Sequence, residues 1–493
     1  MDRSCRCPPP AHCQMSAPRV VLAVDISSSG VRARGHRADL TVASEVTVDL
    51  PPVQRADGAS FHELDDVYSA VVSVVREASA GAEVAAIVAS GTASSLVGYE
   101  LRDGVPVAHT EAMLWSDLRA LAWFDSLRPK LVEAYPRTLC PPDVSYWPAK
   151  LAMLGANGVA APLYGGVKDA IFAGLTGHTW TDPMSAASSG VFDSAAWSWD
   201  EELLAITAAN EAALPEVRAA TAWAPLTAAA SEQLGLPAGT PVVVGGMDGP
   251  LTQLGAAGGE HDIASCTVGT SIAFRTSSDE RKIDPTLRTW CYPVEPDLWV
   301  SGGAGSNGGN LLTWLQAQLG FGSSVGEIVN AAFSVEPDSE LLFVPSLFGE
   351  RAPLWRTELR AALVGLGPHH DRASVSRAVV EGVAVCAIEL AEAVRAVSGP
   401  LRTVSFTGGF LREPRWGQLL TDAIGTQTTV PTSETATSSG AAMVGWAALD
   451  SGKLSALPAP RSGPSALPRL VETVRLVALS KRTAAIRSTL WPE

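Results

Sequence analysis

The runs VVLAVDISSSGVRA (residues 20–33) and DIASCTVGTSIAFR (residues 262–275) are built on one plan. Each has an apolar strand rich in β-branched residues, a turn of Ser, Thr and Gly, and a second short apolar strand. They begin roughly half a chain apart. The repeat predicts two similar domains with a boundary near 255–260, each supplying one hairpin to a shared cleft, where ligands commonly bind. Coincidence between two short hairpins is the alternative explanation.

Strand and helix patterns alternate along the rest of the chain, which predicts an α/β fold. Further buried strands are predicted at 84–90, 241–246, 263–269, 298–303, 341–346 and 403–409. Helices are predicted at 111–133 with a break near Pro129, at 308–319, at 374–398, at 436–449, and at the basic end Leu470–Leu490. The helix at 436–449 is rich in small residues, so we expect it to pack closely against a neighbour.

Composition limits the classes of protein to consider. The chain has 493 residues, a length that favours two or three domains. Its formal charge of −15 argues against general nucleic-acid binding, yet leaves room for a nucleotide held locally by backbone N–H groups. The chain has no run of about 18 apolar residues, so no membrane-spanning helix is predicted. We expect a cytoplasmic protein without nucleic-acid or membrane partners.

The cysteines and the N-terminus carry little functional signal. The chain has seven Cys, and only the short Cys5-x-Cys7 has a spacing that is found in metal sites. The odd number and wide scatter of the cysteines predict reduced thiols. Residues 1–18 contain Pro and Cys but no apolar signal core, so we expect a disordered extension rather than a secretory peptide.

Two kinds of site stand out. The turns of the hairpins, with Ser28, Ser29 and Thr270, offer hydroxyl and backbone N–H groups suited to phosphate oxygens, although either turn alone reads as an ordinary β-turn. In GGMDGPLTQLGAAG (245–258) a strand delivers Asp248 to a helix start, where a carboxylate can accept a proton from a substrate hydroxyl. Capping of that helix by Asp248 is the alternative.

The stretch SGGAGSNGGN (301–310) contains the dinucleotide pattern G-x-G-x-x-G. The segment 321–333 that follows has a helical pattern rather than the second strand that this motif requires, which argues against a dinucleotide site. Ser306 resembles a hydrolase nucleophile, but Ala304 replaces the first Gly of that motif. Neither a Walker A motif nor HExxH occurs, and the double Gly at 408–409 would let a flat ring or phosphate approach the backbone.

Taken in order, these segments resemble the FGGY family of carbohydrate kinases, within the actin-like ATPase superfamily, over residues 19–450. The most specific stretches are GGAGSNGGNLLTWL (302–315), FVPSLFGERAPLW (343–355) and residues 361–381, and the likeness is greatest to gluconokinases at 114–120, 145–151, 181–193 and 289–310. The resemblance implies two actin-like (ribonuclease H-like) ATPase domains that flank a nucleotide/sugar cleft. They would be a sugar-binding domain at 19–257 and a nucleotide-binding domain at 258–450, with a C-terminal extension at 451–493.

The resemblance also implies residue roles. Asp248 would be the catalytic base and would contact the substrate, and Asp25 would hold Mg²⁺. The expected ATP contacts are Ser28, Ser29, Arg32, Gly269, Thr270, Gly309, Thr313, Gly409 and Glu413. The expected sugar contacts are Ser94, Asp117, Tyr146 and Lys168.

The implied reaction is ATP-dependent phosphorylation of a sugar or sugar acid, with D-gluconate converted to 6-phosphogluconate. A xylulokinase or another sugar or polyol kinase of the family is one alternative, and a degenerate nucleotide-binding protein is another. Gluconate would require a cation near its carboxylate, for which Lys168 or Arg119 could serve. The chain departs from the family pattern at Ser27, where Gly is usual and a positive φ would be strained, and at Ser94, where gluconokinases often have His. Exposed apolar surface could support a homodimer.

Overall fold

The structure is a computed structural model that describes residues 17–207, 209–409, 413–431 and 436–492. The predicted extension at 1–18 lies outside these ranges except for its last two residues. In the first half the strands are β1 (Arg19–Ser27), β2 (Gly30–His36), β3 (Val42–Asp49), β4 (Val53–Gln54), β5 (Ser60–His62), β6 (Glu83–Gly91), β7 (Val97–Arg102), β8 (Val105–Ala108), β9 (Ala112–Met113), β10 (Leu163–Gly165), β11 (Trp180–Thr181), β12 (Phe192–Asp193), β13 (Ser198–Trp199), β14 (Glu216–Val217), β15 (Trp223–Pro225) and β16 (Pro241–Met247).

The second half adds further strands and the longest helix. Its strands are β17 (Ile263–Val268), β18 (Ile272–Ser278), β19 (Trp290–Glu295), β20 (Leu298–Ala304), β21 (Leu342–Val344), β22 (Ala362–Val364), β23 (Thr403–Thr407), β24 (Thr428–Pro431) and β25 (Ser462–Ala466). The helices of the whole chain are α1 (Leu64–Ala78), α2 (Leu121–Thr138), α3 (Trp147–Ala156), α4 (Val167–Thr176), α5 (Pro183–Ala187), α6 (Glu201–Thr207), α7 (Ala228–Leu234), α8 (Asp248–Ala257), α9 (Asn310–Leu319), α10 (Val325–Ala332), α11 (Arg372–Ser398), α12 (Pro414–Ile424), α13 (Ala436–Asp450) and α14 (Leu470–Leu490).

Two large sheets share one topology. The first has the order β15-β16-β6-β1-β2-β3, and the second has the order β19-β20-β18-β17-β23-β24-β25. In each sheet the opening hairpin is antiparallel, while its first strand pairs in parallel with a strand from later in the chain. The repeated hairpin that the sequence revealed is therefore the first two strands of each sheet, and the predicted α/β fold with two ribonuclease H-like halves is confirmed.

Strand β1 is apolar on both faces because helices cover both. Val20, Leu22 and Val24 belong to a buried cluster with α1, whereas Val21 and Ala23 belong to a cluster with residues of α8 and α13. A strand that is buried on both faces gives a continuous apolar run in sequence rather than an alternating one. The layers thus fix the end of β1, and with it the first hairpin turn, at the cleft.

Helices α8 and α13 cross at close range. A Cβ atom at Gly255 would lie 1.8 Å from the carbonyl oxygen of Ala436, and one at Gly440 would lie 1.9 Å from that of Leu251. Only glycine permits this approach. The small residues at 436–449 therefore serve the close packing that was predicted for them, and the crossing anchors the helix that begins at Asp248.

Most of the predicted helices are found, with one correction. Helix α11 begins after Asp371, whose carboxylate accepts a hydrogen bond from the Ser374 N–H at 2.9 Å. Helix α10 occupies 325–332, which removes the second strand of a dinucleotide fold. The predicted helix at 111–133 is wrong in its first part, because Asp117 and Arg119 pair in a turn before α2 begins at Leu121. Pro129 lies inside α2 and does not end it.

The C-terminal segment completes the second sheet. Strand β25 pairs with β24 at the sheet edge, and α14 packs beside α11 and α12. Ion pairs of Arg469 with Asp422 (2.6 Å) and of Arg487 with Glu389 (2.7 Å) hold this helix. The four cysteines within the described ranges are buried free thiols. In these same ranges no helix combines the length and apolar character that crossing a membrane requires.

Candidate active-site cleft

Asp248 stands where β16 meets α8. Met247 is the N-cap of α8 and makes no side-chain capping hydrogen bond, and Asp248 is the first residue inside the helix. Burial raises the pKa of Asp248 to about 6; nearby Asp25 adds to the rise, whereas Arg275 and Arg351 oppose it. Asp248 is half-buried as a residue, so it combines a place at the strand–helix junction with a pKa near neutral pH.

Asp25 faces the same cleft from β1. It lies opposite Arg32 in the hairpin register and beside Ser90 of β6, whose hydroxyl donates a hydrogen bond to Oδ1 at 3.1 Å. Burial raises the pKa of Asp25. The influence of Asp25 on the pKa of Asp248 shows that the two carboxylates are close enough to interact.

The first hairpin turn consists of Ser28 and Ser29. Ser27 is the last residue of β1, pairs with Gly30, and is not among the described residues with positive φ. The strain considered for a non-glycine residue at this position is therefore absent. Instead, the Ser27 hydroxyl donates to the Gly30 carbonyl at 2.9 Å and tightens the turn.

The second hairpin turn is tied to the glycine-rich loop after β20. The Gly309 N–H donates to the Gly269 carbonyl at 2.9 Å, and the Asn310 N–H donates to the Thr270 carbonyl at 3.0 Å. A Cβ atom at position 309 would lie 2.6 Å from the Gly269 oxygen. Glycine is thus needed here for close approach rather than for a dinucleotide.

Five of the predicted ATP contacts surround one cavity of about 230 Å³. It is lined by Val268, Gly269, Thr270, Gly309, Asn310, Thr313, Val325, Gly409 and Trp416. The other four, Val268, Asn310, Val325 and Trp416, are not among the contacts predicted from the sequence. Residues from separate segments of the chain, which follow strands β17, β20 and β23 of the second sheet, therefore line one cavity.

A larger cavity of about 900 Å³ adjoins this one at Gly409. Arg32 reaches it from the first half, and Thr407, Gly408, Pro414, Thr421 and the C-terminal residues Pro464, Ser465 and Ala466 contribute to its walls. Gly408 has φ +116°, and a Cβ atom there would lie 2.1 Å from the Val268 carbonyl oxygen. The C-terminal segment, which had no function assigned from sequence, thus supplies part of this wall.

Three predicted ATP contacts, Ser28, Ser29 and Glu413, do not line these two cavities. Ser28 and Ser29 remain in the first turn. Glu413 caps α12, where its carboxylate accepts from the Arg415 N–H at 3.1 Å and pairs with the Arg415 guanidinium at 2.8 Å. Its neighbour Pro414 lines the larger cavity.

The predicted sugar contacts are not gathered around one cavity. Lys168 is buried, with its ammonium 2.9 Å from Asp169, 3.0 Å from Asp182, and donating to the Val244 carbonyl at 3.2 Å. This arrangement is at odds with a contact between Lys168 and a substrate carboxylate, because internal partners already surround the charge.

Asp117 and Arg119 are likewise engaged with each other. The Arg119 guanidinium donates to Asp117 at 2.6 Å and also pairs with Glu111, so Arg119 is not a free cation for a sugar acid. Asp117 additionally accepts from the Ser60 N–H at 3.1 Å.

Ser94 and Tyr146 have defined internal partners. Ser94 has φ +55°, and its hydroxyl donates to the Ser188 carbonyl at 2.7 Å. Tyr146 meets the hydroxyl of Tyr292 at 3.0 Å. The positive φ of a non-glycine residue, which was expected to strain Ser27, is therefore found at Ser94 instead.

Sequence reasoning missed Arg275, Arg351 and Lys150. Arg275 interrupts the apolar strand β18, so an isolated charge among buried residues is the signal that could have identified it, whereas Arg351 directly follows Glu350 and carries no such signal. Lys150 is fully buried and donates to the Ser94 carbonyl at 2.9 Å and to the Leu114 carbonyl at 2.8 Å. Burial lowers the pKa of Lys150 to about 7.

Comparison with known proteins agrees with this geometry. Residues 20–255 match the family model for the N-terminal domain of the FGGY family of carbohydrate kinases, and residues 264–449 match that for the C-terminal domain. The gluconokinase of Bacillus subtilis (strain 168) is 27% identical over 449 residues, which cover 86% of each protein.

Two solved structures from Lactobacillus acidophilus are similar over nearly the whole chain. Its gluconate kinase matches with a TM-score of 0.88 at 25% identity, covering 96% of this chain and 98% of that one. Its xylulose kinase matches with a TM-score of 0.89 at 24% identity, covering 96% and 99%, a likeness that concerns the fold alone. The chain belongs to the FGGY family of carbohydrate kinases and is an ATP-dependent sugar kinase.

Proposed function

We propose that this kinase phosphorylates a sugar acid, D-gluconate, with Asp248 as the catalytic base. The observation that carries the proposal is the half-buried Asp248, held as the first residue of α8 with its pKa raised to about 6. A base with a pKa just below neutral is largely ionised at pH 7 and is still able to accept a proton. The similarity of this chain to the gluconokinase of Bacillus subtilis supports gluconate as the substrate that we propose.

The proposed step is a direct transfer. Asp248 takes the proton from the sugar hydroxyl while the hydroxyl oxygen bonds to the γ-phosphorus of ATP. The bond between that phosphorus and the bridging oxygen breaks, and ADP leaves. Such transfers depend mainly on position and on stabilisation of charge.

The nucleotide would lie along the second hairpin. Gly269, Thr270 and Gly309 line the smaller cavity, and Arg32 and Gly409 line the larger one. The Gly269 and Gly309 N–H groups donate to carbonyls within the two loops, so we assign the phosphate contacts chiefly to Thr270. Turns of this kind bind phosphate oxygens through oriented N–H groups. We assign the phosphates to the smaller cavity and the adenosine to the larger.

Asp25 is the residue that we propose holds Mg²⁺. Its carboxylate and that of Asp248 offer oxygen ligands on one cleft, the donor type that this ion prefers. When bound, Mg²⁺ would neutralise charge on the phosphate oxygens.

The Asp248→Asn variant tests the proposal. We expect kcat with D-gluconate to fall by about 10²- to 10⁴-fold, with ATP binding and the far-UV spectrum unchanged, because the amide cannot accept the proton. Asp262→Asn, at an exposed site paired with Arg402, is the matched control and should keep full activity. Near-normal turnover by Asp248→Asn would refute the assignment.

A panel of acceptors tests the substrate. ADP release would be measured with D-gluconate, D-xylulose and glycerol, and we expect the highest kcat/KM with gluconate. Xylulose is the second candidate, because the fold matches a xylulose kinase equally well. Preference for xylulose or glycerol would leave the kinase activity intact and overturn the gluconate assignment.

A further inference from the structure

Two arginines near Asp248 form no ion pair within the described residues. The Nε atoms of Arg275 and Arg351 are buried without a hydrogen-bond partner, and neither guanidinium forms an ion pair in the described part of the chain. Both side chains lower the pKa of Asp248, and Arg351 also lowers that of Arg275. Two like charges therefore lie close enough to Asp248 to act on its carboxylate.

Most of their donors are free for a ligand. Arg275 donates from Nη1 to the Thr267 hydroxyl at 3.4 Å, and Arg351 donates from Nη2 to the Gly305 carbonyl at 3.2 Å. A guanidinium carries five N–H donors in a planar fork that matches a carboxylate. Asp248 and Asp143 offset part of their charge, and the donors that stay unused suit an anionic ligand.

Arg351 is fixed in place before any ligand binds. Its backbone N–H donates to the Ser306 hydroxyl at 3.2 Å, and its guanidinium stacks on Trp115. The adjacent Glu350 accepts from the Ser306 N–H and from the Asn307 side-chain amide, both at 2.8 Å. These contacts pin the segment to the glycine-rich loop.

Arg275 is held by its strand. A Cβ atom at Gly302 would lie 3.0 Å from Cγ of Arg275, so the stem of the arginine covers this glycine on β20. The Nε atom lies 3.3 Å from the position of a Cβ at Gly249, the residue after Asp248. A preorganised pair of this kind binds an anion at little cost in side-chain entropy.

The surroundings favour the sugar over the nucleotide as the source of the anion. The strongest charged neighbour of Arg351 is Asp143, and Tyr146, a predicted sugar contact, also lies near it. Neither arginine lines the two cavities that hold the predicted ATP contacts. We propose that Arg275 and Arg351 together bind the carboxylate of the sugar-acid substrate, an inference that rests on the proposed function.

The test separates binding from catalysis. Arg275→Gln and Arg351→Gln would be compared with the wild type by calorimetric titration of D-gluconate and of D-glucitol, in which CH₂OH replaces the carboxylate. We expect the dissociation constant of gluconate to rise by about 10- to 150-fold in each variant, as for hydrogen bonds to a charged group. Binding of glucitol and the KM for ATP should stay within about 3-fold.

Two controls keep the result interpretable. Arg395→Gln removes another partly buried guanidinium, one that donates to Ile424 and Thr426 away from the cleft, and should leave gluconate binding unchanged. Arg275→Lys and Arg351→Lys keep the charge but lose the planar fork, so we expect intermediate weakening. Far-UV spectra confirm that each variant is folded.

Each adverse outcome has a distinct meaning. If the gluconate dissociation constant is unchanged while kcat falls, the arginines act on the transferred phosphoryl group and the inference is wrong, although the proposed function stands. If both variants lose gluconate and glucitol equally, the pair does not recognise the carboxylate, and the inference also fails. If the wild type phosphorylates no sugar acid in the acceptor panel, the proposed function itself falls.

Discussion

The guanidinium carbon of Arg351 lies 4.0 Å from the centre of the Trp115 ring. Trp115 belongs to the half of the chain that contains the first sheet, and Arg351 to the half that contains the second. The contact therefore joins the two halves beside Asp248. Closure of such a cleft around its substrates excludes water that would otherwise take the phosphoryl group.

Trp115→Ala should weaken sugar binding. The lost cation–π contact is worth about 0.5–2 kcal/mol, so we expect the sugar KM to rise by about 2- to 30-fold. Because Arg351 is the partner, Trp115→Ala combined with Arg351→Gln should cost less than the sum of the single changes, measured as KM in a double-mutant cycle. Phe321→Leu, under Arg372 at 5.6 Å, serves as the control and should not change KM. Strict additivity would show that the stacking contact does not support the site.

Activity should decline in acid. The pKa of Asp248 is raised to about 6, and the base must be ionised, so kcat/KM for the sugar should fall as the pH drops through about 6. Arg275→Gln removes a cation that lowers this pKa and should move the acid limb to higher pH, whatever its effect on the absolute rate. The measurement is kcat/KM from pH 5 to 8. A flat profile, or a limb that moves to lower pH in the variant, would contradict the assignment of Asp248.

Gly309→Ala should damage nucleotide binding selectively. The added methyl group would lie 2.6 Å from the Gly269 oxygen and would push the loop away from the second hairpin. Overpacking of this kind costs about 1–3 kcal/mol, so we expect the KM for ATP to rise about 5- to 150-fold with a smaller change in the sugar KM. Gly326→Ala, in the open surface of α10, is the matched control. An unchanged ATP KM would remove the loop from the nucleotide site.

Lys150 should make stability depend on pH. Its folded pKa of about 7 lies below the unfolded value of about 10.4, so between these values the unfolded chain binds one more proton. Stability therefore rises with pH in this window, by up to about 1.4 kcal/mol per pH unit. Thermal unfolding from pH 7 to 10 should show a rise in Tm relative to Lys150→Met, which lacks the titrating group. Parallel curves for the two proteins would show that Lys150 does not titrate as its burial demands.

The local features of this chain were readable from sequence because local chemistry causes them. The two hairpins have the same strand–turn–strand pattern, and both open a sheet of the same topology. Asp248 follows an apolar strand and begins a helix, as the pattern GGMDGP predicts. The glycines at 255 and 440 mark a helix crossing that no larger residue would allow.

Tertiary packing alone determined which charges are free. In the sequence Lys168 and Arg119 are cations that could bind a substrate carboxylate, but in the structure both form ion pairs with carboxylates of the protein. Arg275 and Arg351 come from separate segments, and both act on the pKa of Asp248 without forming an ion pair within the described residues. The spacing of residues along the chain predicts strands, helices and turns, because these depend on residues that are neighbours in sequence. Whether a buried charge is paired depends on strands and loops that meet only when the two sheets have folded.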